Sequence, residues 1–150
     1  MNILVIVHII AAILFLGPVA VASSLYPAFA LQATGRDQSS LGSARILHRI
    51  TNTYALLSLL VPLAGLGMFI FDSAYMKQGK FHAAILISVI AWAVLFFLVL
   101  PRQKALLALA TDPAAHAAEP DKAPALKKQL AMFSGIFNAL WIIAAVLMFI

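Results

Sequence analysis

Residues 81–100 read FHAAILISVIAWAVLFFLVL and contain no Asp, Glu, Lys or Arg. Residues 1–35, 51–71 and 129–150 also lack these four residue types. An α-helix rises about 1.5 Å per residue, so about 20 apolar residues cross a hydrocarbon core about 30 Å thick. Each of the four stretches is long enough to cross a bilayer, and the sequence therefore predicts four transmembrane helices.

The composition points to the same class of protein. Hydrophobic residues make up 64% of the chain and charged residues 10%, which is too few charges to cover the surface of a soluble domain. Runs such as AAILISVI (83–90) are apolar around the whole helix and lack the strict alternation of barrel strands. We therefore expect an all-α fold, a four-helix transmembrane bundle of up-down topology in one integral membrane domain.

The predicted spans cover about 2–33, 44–71, 81–100 and 125–150. Ser39 or Ser40 is expected to cap the second helix, because a hydroxyl can accept from the free N–H groups of a first turn. After Pro101, residues 102–110 are predicted to extend the third helix outside the core. Residues 111–124 contain three prolines and are predicted to form a mobile surface segment without regular structure.

The positive charges predict the orientation of the bundle. The first and third connections and their flanks carry eight Lys and Arg residues, against two in the second connection. Short loops rich in Lys and Arg stay in the cytoplasm, so both termini are expected outside a bacterial cytoplasmic (inner) membrane. The net charge of +5 is thereby explained by topology and lipid contact, and nucleic acid is not an expected partner.

Several chemical classes are disfavoured. The chain has no cysteine, which excludes disulfides and thiolate metal sites. No Asp or Glu lies inside a predicted span, whereas proton-driven carriers usually keep a buried carboxylate. An ion or small-solute carrier is therefore the least favoured function. No nucleophile with a neighbouring base and no phosphate-binding glycine loop occurs, so an enzyme without a cofactor is not expected.

Two histidines are the candidate ligands. His8 lies about 10 Å into the first span, and His82 begins the third span at the same predicted membrane face. Paired imidazoles could bind haem b or copper, and the thioether of Met68 suits Cu(I). The alternatives are that His8 is a neutral imidazole bonded to a neighbouring helix, that His82 is hydrated among headgroups and that Met68 is packing. His48 enters the second span from the opposite end, where it is expected, with Arg45 and Arg49, to touch phosphates or to cap the bundle.

The first helix resembles that of known bacterial membrane proteins. Residues 8–17, HIIAAILFLG, are similar to the first helix of bacterial membrane proteins related to copper-resistance protein D and to the haem-pathway oxidase HemJ. In length and hydropathy the chain most resembles an uncharacterised family of small predicted integral membrane proteins in that broad group. The resemblance implies a four-helix bundle in which His8 binds haem or copper.

Two functions remain after these steps. The first is a non-catalytic integral membrane protein that acts as an accessory or interaction subunit, with other membrane subunits or further copies of itself as partners. The second is a haem- or copper-binding membrane protein with His8 and His82 as ligands. The first explains the sequence by helix packing alone, and the second gives the intramembrane histidine a function.

Overall fold

The computed structural model describes residues 3–150, and every regular element in that range is a helix. Four long helices follow one another: α1 (Ile3–Thr34), α2 (Gln38–Phe71), α3 (Gly79–Thr111) and α4 (Lys122–Phe149). All four are long and apolar enough to cross a membrane. The predicted four-helix membrane architecture is confirmed at this level. Residue 2, the predicted start of the first span, lies outside the described residues.

In three of these helices, the turn just before a proline is distorted. A π-helical segment, Ala12–Leu16, comes just before Pro18, and a second, Val94–Val99, comes just before Pro101. In α2 the helix is interrupted between Leu57 and Leu60, two positions before Pro62. Proline has no N–H and crowds the carbonyl four residues earlier, so the preceding turn widens or opens.

Pro27 is accommodated in a different way. The carbonyl of Ser23, four residues earlier, has lost its helical donor. The hydroxyl of Ser134 on α4 donates to this carbonyl oxygen over 3.0 Å. A backbone acceptor that proline freed therefore becomes a contact between α1 and α4.

The start of α2 differs from the prediction. Asp37 caps the helix and accepts from the N–H groups of Ser39 and Ser40 at 3.1 and 3.3 Å. The Ser40 hydroxyl also donates to the other carboxylate oxygen over 2.8 Å. These bonds hold the pKa of Asp37 below its ordinary value, and the bond from the Ser40 hydroxyl has the largest effect. The helix consequently begins at Gln38, directly after Asp37, and the prediction that Ser39 or Ser40 caps it was wrong.

The segments around the third connection also differ. Residues 102–110 belong to the packed bundle, because Gln103 and Leu106 are fully buried. The predicted irregular segment 111–124 contains a short helix, Pro113–Ala118, and the first turn of α4. Pro113 and Pro124 both lie in a first helical turn, where the missing N–H has no helical partner to lose.

The bundle is packed unevenly along its length. In α1, seven of the 18 residues of Gly17–Thr34 are buried, against two of the nine in Ile3–Ala11. In α2, five of the 20 residues of Gln38–Leu57 are buried, against one of the 12 in Leu60–Phe71. We call the end of the bundle formed by Gly17–Thr34 and Gln38–Leu57 the closed half, and that formed by Ile3–Ala11 and Leu60–Phe71 the open half.

Candidate functional site

His8 lies in the open half and is buried between α1 and α2. Its Nδ1 is 2.9 Å from the carbonyl oxygen of Val61. A carbonyl oxygen only accepts, so Nδ1 carries the proton and Nε2 of the neutral ring keeps its lone pair. The ring lies beside Gly65, where an added Cβ would be 3.5 Å from Cε1. This is the only buried polar side chain of the open half within α1 and α2, among the described residues.

His82 lies near the same end of the molecule but is exposed. Its Nδ1 is 3.3 Å from the carbonyl of Gln78 in the preceding turn, and its ring meets Phe69 edge-on with 5.8 Å between centroids. Phe69 follows the His8 contacts at Val61 and Gly65 by eight and four residues, which corresponds to about 6–12 Å along α2. Both rings therefore pack on α2, at different heights.

His8 and His82 make separate contacts, His8 with Val61 and His82 with Gln78 and Phe69. Within residues 3–150 no group of three or more His, Cys, Asp or Glu side chains could hold a metal ion. Met68 is half-buried and lies one turn beyond Gly65 on α2. Within α1 and α2, the open half provides one buried imidazole, that of His8. Binding of haem or copper by His8, His82 and Met68 stays a prediction.

The closed half contains a polar cluster formed by Tyr26, His48, Thr51 and Gln103, which we call the Gln103 cluster. The side-chain oxygen of Gln103 accepts from His48 Nδ1 over 2.9 Å, and its amide nitrogen donates to the Thr51 hydroxyl over 3.3 Å. Thr51 donates to the carbonyl of Leu47 over 2.9 Å. The Tyr26 hydroxyl donates to the main-chain carbonyl of Gln103, and its ring lies 6.1 Å from that of His48.

The Gln103 cluster joins three helices, since its members come from α1, α2 and α3. Each bond fixes the direction of the next, so the Gln103 amide and the His48 tautomer have one arrangement. His48 was predicted to touch phosphates or to cap the bundle, and it is partly buried with Nδ1 bonded to Gln103. Sequence reasoning missed Gln103, although Val99, Gln103, Leu106 and Ala110 recur at helical spacing across Pro101.

Further polar contacts hold α4 and α3 in place. Asn138 donates to the Ser24 hydroxyl over 3.0 Å, and Trp92 donates to the Ser58 hydroxyl over 3.1 Å. The ring of Trp141 meets Trp92 edge-on at 4.5 Å between centroids. Together with the Gln103 cluster, these contacts pair polar side chains of different helices, as expected where lipid offers no hydrogen bonds. Asn138 Oδ1 and Trp141 Nε1 are buried without a partner among the described residues.

Two apolar grooves open on the outer surface of the bundle. The α1–α2 groove lies in the open half between α1 and α2, and its walls include Ile10, Leu14, Leu63 and Ala64. The α2–α3 groove lies between α2 and α3. It is lined by Leu59, Val89, Trp92, Ala93, Phe96 and Phe97. Both surfaces are almost wholly apolar and face the region that lipid chains would occupy.

No protein-family model matches the chain, and neither the curated proteins nor the solved structures contain a match. The resemblance to proteins related to copper-resistance protein D and HemJ stays a prediction. The geometry of the bundle therefore carries the functional argument.

Proposed function

We propose that this chain is a non-catalytic integral membrane protein, an interaction subunit that packs the α1–α2 groove against a transmembrane helix of another membrane protein. The observation that carries the proposal is the contrast between the two halves. In the closed half, the Gln103 cluster bonds within the bundle and small residues such as Ala30 and Ala44 are buried. The open half leaves an apolar groove between α1 and α2.

Packing explains why a helix would occupy this groove. Lipid tails are as apolar as leucine, so helices associate in membranes through close van der Waals contact and not through a hydrophobic driving force. A shaped groove offers more such contacts than a flat helix surface. Ala64 forms part of the wall and has a small side chain, which permits a close approach of two backbones.

Orientation and location belong to the same proposal. The protein has up-down topology with both termini outside the cytoplasmic membrane. Two contacts support the up-down topology, because each joins an early position of one helix to a late position of its neighbour. Ser40 meets Gln32, and Arg102 meets Gln129. The eight-to-two distribution of Lys and Arg supports the direction. A C-terminal fusion that is active only in the periplasm is the expected result, and a cytoplasmic C-terminus would contradict it.

Blocking the α1–α2 groove tests the interaction. Ala64→Phe fills the groove, whereas Ala139→Phe adds the same side chain at an exposed position of α4. We expect wild type and Ala139→Phe to co-purify with a membrane protein at fixed stoichiometry and Ala64→Phe to lose it. Purification of the wild type as a lone monomer from its native membrane would contradict the proposal, as would equal binding by both variants.

A second candidate, haem or copper binding, is favoured by one observation. The bond from Nδ1 of His8 to the Val61 carbonyl orients the ring and leaves Nε2 as the ligating nitrogen, the arrangement common to metal-bound histidines. His8 would be an axial ligand, with His82 or Met68 as the second donor. Purified protein should then show a Soret band or stoichiometric copper that His8→Leu abolishes. Absence of both from the wild type would rule this candidate out.

A further inference from the structure

The contact between His48 and Gln103 brings a basic face of α2 beside α3. Arg45 precedes His48 by three residues and Arg49 follows it directly, so both lie on the flank of α2 next to the contact. Lys104 follows Gln103 on α3. All three basic side chains are exposed. We call Arg45, Arg49 and Lys104 the basic cluster.

No described carboxylate at this end of the bundle pairs with the basic cluster. Asp37 caps α2, and Asp112 accepts from the N–H groups of Ala114 and Ala115 at the start of the short helix. Glu119 pairs with Lys122 at 3.1 Å, the one ion pair within residues 3–150. Asp121 is exposed at the start of α4 and forms no ion pair. The basic cluster therefore has no carboxylate partner among the described residues and is free to bind an anion from outside the chain.

The α2–α3 groove lies further along the same two helices than the basic cluster, towards the membrane centre. Phe97 precedes Lys104 by seven residues on α3, and on α2 Leu59 follows Arg49 by ten. These separations correspond to about 10 and 15 Å along a helix. At the groove, Nε1 of Trp92 donates to the Ser58 hydroxyl and so links α3 to α2. The basic cluster and the α2–α3 groove thus lie one after the other along the boundary between α2 and α3, which we call the seam.

We propose that this seam binds an anionic phospholipid, with its phosphate at the basic cluster and an acyl chain in the α2–α3 groove. The order of charge and apolar surface along the seam matches that of a lipid standing in the leaflet. Basic pockets between membrane helices suit such headgroups. None of the described residues that line the α1–α2 groove is a cation, which separates the lipid site from the proposed helix site.

Quenching of Trp92 measures occupancy directly. The chain has two tryptophans, so Trp141→Phe leaves Trp92 as the only tryptophan, and excitation at the red edge of the absorption band avoids the tyrosines. The protein is placed in phosphatidylcholine vesicles containing phosphatidylglycerol, with brominated chains on one lipid or the other. Each surface cation contributes a factor of about 5 in affinity for an anionic surface. We expect phosphatidylglycerol to be preferred at the groove by at least about 10-fold over phosphatidylcholine.

Matched variants locate the headgroup. Arg45→Gln with Arg49→Gln removes two charges beside the seam. Lys127→Gln with Lys128→Gln removes two charges from the start of α4, which the contact between Arg102 and Gln129 places at the same end of the bundle. We expect the arginine pair to reduce the preference to within about 2-fold of unity and the lysine pair to leave it within about 2-fold of wild type. Equal quenching by both lipids in the wild type, or equal loss in both pairs, would overturn the proposal.

A groove variant with all charges retained tests the acyl-chain site. Ala93→Phe occupies the exposed groove wall, and Ala139→Phe serves as its control on α4. Ala93→Phe should lower quenching of Trp92 by brominated phosphatidylglycerol at least about 2-fold, with unchanged helix content by circular dichroism. Unchanged quenching in a folded Ala93→Phe protein would overturn the groove as the chain site. Loss of lipid preference leaves co-purification through the α1–α2 groove unaffected, so the two proposals fail separately.

Discussion

The closed and open halves of this bundle pack α1 against α2 in different ways. In the closed half, Gly17–Thr34 and Gln38–Leu57 bury small and polar residues against each other, and the Gln103 cluster ties three helices together. In the open half, α1 and α2 meet through His8, Val61 and Gly65. The difference separates the part in which polar side chains join three helices from the part that the proposed partner helix would contact.

The largest effect is expected from Gln103→Ala. The substitution leaves a cavity in the closed half and removes the acceptor of His48 and the donor to Thr51. We expect a loss of about 2–3 kcal/mol in the free energy of unfolding. Reversible unfolding by SDS in bicelles, followed by circular dichroism, measures it. A loss no greater than that of His8→Leu would remove the distinction between the halves.

A double-mutant cycle tests how Pro27 and Ser134 are linked. Ser134→Ala removes the donor to the Ser23 carbonyl, with an expected loss of about 1 kcal/mol. In a Pro27→Ala background the restored N–H can serve that carbonyl, so the same change should cost less than about 0.5 kcal/mol. Equal losses in the two backgrounds would show that the carbonyl freed by proline is not the reason for the contact.

His8→Leu tests the open half. The Val61 carbonyl remains available to the helical N–H of Gly65 after the imidazole is lost, so the expected change in unfolding free energy is only about 0.5–1 kcal/mol. The same SDS titration measures it beside Gln103→Ala. A loss above about 2 kcal/mol would show that His8 is needed for the stability of the fold and is not an imidazole kept free to bind a metal.

The smallest effect concerns pH at the start of α2. Bonds from Ser40 and Ser39 lower the pKa of Asp37 from its ordinary value near 3.8. The carboxylate thus stabilises the folded state above pH 3.8, and that contribution is lost as pH falls through the lower folded-state pKa. A titration of the Asp37 carboxyl carbon by NMR should give a midpoint below 3.8 that rises in Ser40→Ala. An unchanged midpoint in that variant would exclude the hydroxyl as the main cause.

Charge-free length predicted the four helices, because lipid excludes charged side chains regardless of how the helices pack. The finer features depend on contacts between helices. Gln103 follows Pro101 and precedes Lys104, a sequence typical of a helix leaving the membrane, yet donors and acceptors on α1 and α2 bury it. His8 was expected inside the bundle, but its carbonyl partner depends on the register of α2 after its interruption before Pro62.

Site-specific photo-crosslinking tests the central claim most directly. A photoreactive residue at Leu14 sits in the α1–α2 groove, and one at Ile142 sits on an equally apolar, exposed face of α4. In the native membrane we predict one discrete protein adduct from position 14 that Ala64→Phe abolishes, and none from position 142. Equal adducts at both positions, or an adduct at 14 that persists in Ala64→Phe, would contradict an interaction subunit that works through its open half.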